Sequence, residues 1–138
     1  MTFKYQSDYD KLSEVCSPKH FTRQEANPAF RWLFDEHDQR NFVPQYHRNP
    51  KRFIDTNDKL KCTAMGLSFF KDLQRAEERY KQLSEIVPNI GKTVGTYTSK
   101  GFILEVDGVN GDFGHLSHFT HHAYETDIFK ERFEIVKS

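Results

Sequence analysis

Cysteine is scarce in this chain, and the features that mark export or membrane insertion are missing. Two cysteines, Cys16 and Cys62, occur in 138 residues, and their separation matches no metal-ligand spacing. We predict that both are free thiols, which favours a reducing compartment and a cytoplasmic location. No apolar run approaches the length of a membrane span, and the N-terminal MTFKYQSDYD has no apolar signal core. These absences predict a soluble protein with no membrane contact and no disulfide framework.

An excess of charge of one sign is also missing. The chain has 20 basic and 20 acidic residues, so its formal net charge is zero. General nucleic-acid binding needs clustered Lys and Arg that follow the phosphates, and the densest basic stretch is only Arg48, Lys51 and Arg52. Three cations in such a stretch are typical of a solvated loop. We therefore expect no general nucleic-acid partner.

Aromatic residues, by contrast, are plentiful. Thirteen Phe, six Tyr and one Trp supply the material for a bulky core. A chain of this length buries enough surface to fold without a covalent staple. The sequence has no internal repeat, no low-complexity tract and no Pro/Gly/Ser-rich linker. These features predict one domain over residues 1–138.

Periodicity and turn residues predict a mixed secondary structure. The predicted elements are helices over 7–15, 28–39 and 72–86, a long loop over 40–58, a strand over 59–70, a hairpin of 92–98 and 102–107, and a final strand over 131–136. Asn27 is a good N-cap before Pro28, Asp72 caps the third helix, and Asn110-Gly111 is a strong turn signal. This order predicts an α+β fold, in which N-terminal helices pack on a largely antiparallel sheet with one further helix.

Residues 112–125, DFGHLSHFTHHAYE, carry the densest set of reactive side chains. Four of the seven histidines lie here: His115, His118, His121 and His122. Glycines 108, 111 and 114 precede or interrupt the segment, and glycine permits a tight, histidine-rich loop against a ligand. Three interpretations are possible: a metal site, a catalytic or ligand-binding site, or a polar-aromatic cluster whose ring nitrogens are satisfied by backbone groups.

The metal interpretation has the weakest support. His118 and His122 are four residues apart, as helical zinc ligands can be, but Phe119 stands where the H-E-x-x-H pattern requires Glu. No cysteine lies nearby. We predict no metal ligands in this segment.

Three separated elements resemble the ADP-ribosyltransferase superfamily, including its small bacterial toxin-type members. The first is a basic residue in the early loop, and the candidates are Arg40, His47, Arg48 and Arg52. The second is the strand Gly66-Leu67-Ser68-Phe69-Phe70, and the third is a late acid, Glu125, which follows Tyr124. Glu105 is a rival late acid. The resemblance covers roughly residues 40–125, without an uninterrupted S-T-S or E-x-E motif.

The resemblance implies a small nucleotide-binding domain that transfers ADP-ribose from NAD. An arginine fork would bind the pyrophosphate, an aromatic ring would face the nicotinamide, and a carboxylate would stabilise the oxocarbenium-like sugar. The implied catalytic residues are Glu125, Tyr124 and His122. The implied ligand-binding residues are Arg40, His47, Arg52, Ser68, Phe70, His115 and His118. Whether the chain is an enzyme stays open.

A non-catalytic role is the rival hypothesis. Small size and neutral charge also suit a protein-interaction module, such as an inhibitor, an immunity protein or an accessory protein of a defence system. On that hypothesis Trp32, Phe42 and Tyr46 would form an exposed patch, because the centres of protein interfaces favour aromatic residues. The expected partner is therefore a nucleotide or small molecule, or else a protein.

Overall fold

A computed structural model describes residues 3–12, 22–36, 38–111, 117–125 and 129–136. The strands are β1 (Ala26–Leu33), β2 (Leu67–Phe70), β3 (Tyr97–Ile103), β4 (Gly108–Gly111), β5 (His118–Ala123) and β6 (Glu134–Ile135). The helices are α1 (Gln6–Tyr9), α2 (Gln45–Arg48), α3 (Asp58–Ala64), α4 (Leu73–Ile86), α5 (Ile90–Val94) and α6 (Phe129–Arg132), with 3₁₀ turns at Pro50–Phe53 and Glu105–Asp107.

The six strands form a single sheet in the order β4-β5-β2-β1-β3-β6. Each of the five neighbouring pairs is antiparallel. The predicted α+β fold with an antiparallel sheet is therefore confirmed. None of the helices in the described ranges has the length and apolarity needed to cross a lipid bilayer.

The helix predicted over 28–39 is wrong, because its first half belongs to the inner strand β1. Phe30 faces Phe70 of β2, and Trp32 faces Thr98 of β3. An inner strand is buried on both faces, so its apolar residues do not alternate cleanly, and this run also fits a helical spacing by chance. The Asn27-Pro28 pair lies at an irregularity in the β1–β3 ladder instead of at a helix start.

The strand predicted over 59–70 is two elements. Residues 58–64 form α3, and the side chain of Asn57 caps it by accepting a hydrogen bond from Leu60 N at 2.8 Å. Only Leu67–Phe70 is strand. The alternation of Leu60, Cys62 and Ala64 was too short to separate a strand from one helical face.

The long helix α4 is confirmed, together with its start. The Asp72 side chain accepts a hydrogen bond from Gln74 N at 2.9 Å, as an N-cap does. Ala76 is fully buried under the sheet, next to Phe30 and Phe70. This helix packs on β1 and β2 and forms one wall of the space beside them.

The hairpin predicted around residues 99–101 is wrong, because β3 runs through it without a turn. Gly101 serves a different purpose: a Cβ there would lie 2.6 Å from Arg132 O and from the Phe133 ring. The glycine therefore allows close packing of the C-terminal segment. That segment has only two strand residues, Glu134 and Ile135, against the six predicted.

Two further predictions fail: the turn at Asn110-Gly111 and the length of the N-terminal helix. Asn110-Gly111 lies inside β4, where Asn110 pairs with His121 of β5 and bridges to Thr22. The N-terminal helix has one turn, Gln6–Tyr9, and no side-chain cap. The remainder of the helix predicted over 7–15 extends past residue 12, outside the described residues.

Hydrophobic packing occurs on both faces of the sheet. The main core is dominated by phenylalanine rings and contains Ala26, Ala29, Leu33, Phe42, Leu67, Phe69, Ile103, Phe119, Phe129 and Phe133. A smaller cluster under α4 joins Phe30 and Phe70, and a third joins the N-terminal residues Phe3 and Tyr9 to α3. The abundance of Phe therefore serves the core, as expected.

Cys62 is disulfide-bonded, so the prediction of a free thiol is wrong for this residue. The other cysteine of the chain, Cys16, lies outside the described residues. Disulfides persist mainly in oxidising compartments. The cytoplasmic location loses the support of reduced cysteines and stays a prediction.

The core makes a first prediction. Phe69 is fully buried against Phe119, Phe129 and Phe133. Phe69→Ala should lower the free energy of unfolding by about 3–5 kcal/mol, since it loses apolar burial and leaves a cavity. Urea unfolding measures this. Tyr97→Ala, on an exposed residue of β3, should change stability by about 0.5 kcal/mol or less; equal losses in the two variants would contradict this core.

Candidate functional site

A cleft of about 500 Å³ opens between α2, α4 and the face of strands β1, β2 and β5. This volume is typical of sites for small molecules and cofactors. Its walls combine three arginines, three aromatic rings and a histidine. The lining residues are Arg31, Trp32, Phe34, Asn41, Pro44, Gln45, Arg48, Gly66, Ser68, Phe70, Arg79, Leu83, Val94 and His118.

The cleft exists because β1 and β2 separate after a single pairing position. Within the described residues their ladder consists of Phe30 opposite Phe70. Arg31 then fills the gap: its Nε donates to Asn41 O and one terminal nitrogen donates to Ser68 O, both at 2.9 Å. The guanidinium thus links Ser68 of β2 to Asn41 in the loop after β1, and it satisfies two carbonyls at the edge of the cleft.

Arg31 is charged although it is buried. Only 9 % of the residue is exposed, and its guanidinium carbon lies 5.6 Å from the Phe69 ring and 5.9 Å from the Phe42 ring. Burial, and then the like charge of Arg48, lower its pKa to about 9. The guanidinium is therefore protonated at neutral pH, and a bound anion would relieve the repulsion between the two arginines.

Arg48 is the second cation of the cleft. One terminal nitrogen donates to Thr93 O at 3.1 Å, while its buried Nε has no hydrogen-bond partner among the described residues. Burial, and then the like charge of Arg40, lower the pKa of Arg48. Arg79, on α4, is the third cation. No Asp or Glu of the described ranges lines the cleft, so its lining is electropositive in a chain of zero net charge.

Strands β2 and β5 form the floor. Gly66, Ser68 and Phe70 project from one face, because alternate residues of a strand point the same way. Phe70 pairs with His118, and the two rings lie 5.2 Å apart. Of the residues predicted to bind a ligand, Ser68, Phe70 and His118 therefore come together in one cleft.

The other basic residues predicted from the early loop lie outside this cleft. Arg40 is exposed and ion-paired with Asp38 at 2.7 Å. His47 faces the N-terminal segment, where its Nε2 lies 3.0 Å from a carboxylate oxygen of Asp8. Arg52 is exposed on the 3₁₀ turn beside Phe53. The cation of this loop that does line the cleft is Arg48.

None of the three residues implied as catalytic is among the lining residues of the cleft. The ring of His122 lies beside the lining residue Gly66, where a Cβ would be 3.1 Å from it. His122 is buried, with Nδ1 hydrogen-bonded to the Tyr9 hydroxyl at 2.7 Å. Tyr124 is buried beside Phe3, and its hydroxyl accepts a hydrogen bond from Arg23 at 3.1 Å. Glu125 is exposed in the following turn. His115 lies outside the described residues.

The described part of the histidine-rich segment is a strand instead of a loop. His121 is 1 % exposed, and its Nδ1 donates to the Asn110 side-chain oxygen at 2.5 Å. Burial, followed by repulsion from His122, lowers its pKa to about 3. His121 and His122 are thus buried in a polar-aromatic cluster, as the structural interpretation expects, but their Nδ1 atoms bond the side chains of Asn110 and Tyr9 instead of backbone groups. His118, by contrast, reaches the cleft. No three His, Cys, Asp or Glu side chains of the described ranges gather as a metal site requires.

The aromatic residues of the interaction hypothesis are packed inside. Phe42 is buried in the main core, and Tyr46 packs against the N-terminal cluster. Trp32 lines the cleft and donates from its ring nitrogen to Ala76 O at 3.3 Å. These three rings therefore form no exposed patch, and a protein partner would need another surface.

Sequence reasoning missed Arg31, the residue around which the cleft is built. A signal was present: the cation stands inside Phe30-Arg31-Trp32-Leu33-Phe34, among bulky apolar residues on both sides. An arginine within a run of apolar residues is buried together with that run, and its guanidinium needs hydrogen-bond acceptors in the protein interior. The incorrect helix prediction hid this signal.

Comparison with known proteins gives no further guide. The chain matches no protein-family model, and neither curated proteins nor solved structures show detectable similarity to it.

Arg31 makes the second prediction. In Arg31→Lys the ammonium cannot reproduce the Nε bond to Asn41 O, so a buried carbonyl stays unpaired. The free energy of unfolding should fall by about 1–3 kcal/mol. Urea unfolding tests this, with the exposed Arg79→Lys as the matched control at about 0.5 kcal/mol or less. If the free energy of unfolding of Arg31→Lys equals that of the wild type, the two hydrogen bonds of the Arg31 guanidinium do not stabilise the fold.

The third prediction concerns pH. The pKa of His121 is about 3 in the folded chain and 6.5 for an ordinary histidine. At a pH between these two values, His121 binds a proton in the unfolded chain but not in the folded one. Stability should therefore fall as pH drops below 6.5, by up to about 1.4 kcal/mol per unit from this residue. NMR of the His121 ring should show a neutral imidazole down to pH 4, and His121→Gln should reduce the acid slope. A ring that titrates near 6.5 would refute the assignment.

Proposed function

We propose that the chain is a small nucleotide-binding domain whose ligand lies in the cleft lined by Arg31, Arg48 and Arg79. The observation that carries the proposal is the composition of that lining: three guanidinium groups, no described carboxylate and three aromatic rings. The guanidinium groups suit phosphate, and the rings suit a flat base. A nucleotide carries both groups in one molecule.

The phosphate half of the argument rests on the arginines. A guanidinium binds phosphate oxygens through paired N–H groups, and such charge-assisted bonds are stronger than neutral ones. The like charge of Arg48 lowers the pKa of Arg31, and no described carboxylate lines the cleft. Asp38, which lies outside the lining, offsets part of the lowering of the Arg48 pKa. A pyrophosphate would place negative charge beside two cations that otherwise repel each other.

The base half rests on Trp32, Phe34 and Phe70. Flat rings stack on aromatic side chains, and the stacking removes apolar surface from water. Leu83 and Val94 extend the apolar lining on the side of α4 and α5. NAD, which the ADP-ribosyltransferase resemblance implies, offers a pyrophosphate with two ring systems and is the ligand we propose.

ADP-ribose transfer is the reaction that the resemblance implies for such a ligand. Glu125 is not among the described residues that line this cleft. The polar groups on the floor are Ser68 and His118. The proposal is therefore nucleotide binding, and a transfer step would have to use these groups or a carboxylate beyond the described lining.

The fourth prediction is that NAD binds in the cleft, and calorimetric titration of the chain with NAD tests it. Arg48→Gln should raise the Kd roughly 10–100-fold, since it removes a charge-assisted contact worth about 1.5–3 kcal/mol. Arg52→Gln is the matched control, because it removes the same charge from an exposed position outside the cleft. Glu125→Ala should leave the Kd unchanged. ADP should compete with NAD, and affinity should fall with added salt.

Two outcomes would count against nucleotide binding. One is the absence of any heat from millimolar NAD and ADP with the unmodified chain. The other is equal weakening by Arg48→Gln and Arg52→Gln, which would indicate a diffuse attraction instead of a site.

A further inference from the structure

Helix α2 carries two residues of the cleft but has little stability of its own. Gln45 and Arg48 are three residues apart, so they lie on one face and both reach the cleft. The helix has a single turn, and no side chain caps its start. One turn does not persist in water without tertiary packing. The position of Arg48 therefore depends on what holds α2 from its other sides.

The N-terminal segment, residues 3–12, is fixed to the sheet at β5. Phe3 forms a bridge with Tyr124, and Lys4 N donates to Ala123 O at 3.0 Å. The Tyr9 hydroxyl is hydrogen-bonded to His122 at 2.7 Å. Main-chain and side-chain bonds thus tie this segment to the strand that also contributes His118 to the cleft.

The same segment holds α2 through His47. The Tyr5 ring stacks on the imidazole, with centroids 3.7 Å apart and planes 19° apart. A carboxylate oxygen of Asp8 lies 3.0 Å from His47 Nε2. His47 lies next to Arg48 in the chain, so these contacts restrain the turn that carries the cleft cation. On the far side, Arg48 itself donates to Thr93 O.

We propose that Tyr5 and Asp8 are positioning residues of the cleft, and that the N-terminal segment acts as a strap joining its β5 and α2 walls. This inference rests on the proposed nucleotide site. The strap contributes no contact to the ligand. It raises the fraction of molecules in which α2 is formed and Arg48 is in place, and apparent affinity is proportional to that fraction.

Hydrogen exchange tests the strap without any ligand. The amides of His47 and Arg48 donate to Pro44 O and that of Asn49 donates to Gln45 O, so they report whether α2 is formed. Asp8→Asn and Tyr5→Ala should speed exchange at these three amides about fivefold, with amides of α4 unchanged. Asp10→Asn is the matched control, because Asp10 bonds to Gln6 within the strap. Unchanged exchange in α2 would overturn the inference, whatever NAD does.

Affinity for NAD, measured by calorimetry, supplies the second readout, as the fifth prediction. Asp8→Asn should raise the Kd about fivefold in the natural chain, if four of five molecules lose the ordered α2. The same substitution in an Arg48→Gln background should change the Kd little, because the strap acts through Arg48. A purely structural role would weaken binding equally in both backgrounds.

The outcomes separate the strap from the nucleotide site. If the natural chain does not bind NAD, the proposed function fails, and exchange alone decides whether the strap orders α2. If NAD binds and α2 loosens in Asp8→Asn without loss of affinity, the nucleotide site stands and the positioning role is wrong. If α2 loosens and affinity falls only where Arg48 is present, the inference is supported.

Discussion

The hydrogen bonds that the Arg31 guanidinium donates in the gap between β1 and β2 are the interaction on which the rest of the structure depends. Two main-chain carbonyls accept from this one side chain: Ser68 O of β2 and Asn41 O of the loop that follows β1. The bridge lets the strands part without leaving those carbonyls unpaired, and it places a permanent charge at the edge of the opening. The cleft and its positive character therefore have a common origin.

The walls of the cleft differ in how they are stabilised. Helix α4 has a capped start and packs on the sheet, so its contribution to the lining is rigid. Helix α2 is a single uncapped turn held by its neighbours. Because the charged wall is the less stable one, residues outside the cleft can change the affinity of the site by changing the stability of α2. The stacked rings of Tyr5 and His47 are in a position to do so.

Prediction succeeded where local rules dominate. Asp72 capped α4 as expected, and the phenylalanines entered the core. Prediction failed where tertiary packing overrode local signals. Asn27-Pro28 does not start a helix, and Asn110-Gly111 lies inside a strand instead of forming a turn. Gly101 allows Phe133 to pack closely and is not part of a turn. Among the candidate site residues, the structure brings Ser68, Phe70 and His118 together in the cleft, while Glu125, Tyr124 and His122 are not part of its lining.

The sequence by itself determined the class of fold, the aromatic core, helix α4 and the absence of an overall charge, because composition and short-range capping act before the chain folds. Only the tertiary structure decided which of many basic and histidine side chains share a site. In the net charge the arginines are balanced by acidic residues elsewhere, yet Arg31 and Arg48 meet in one cleft that no described carboxylate lines. The order and separation of the strands bring these residues together. The local sequence around each residue carries no signal of which distant residues will lie beside it in the sheet.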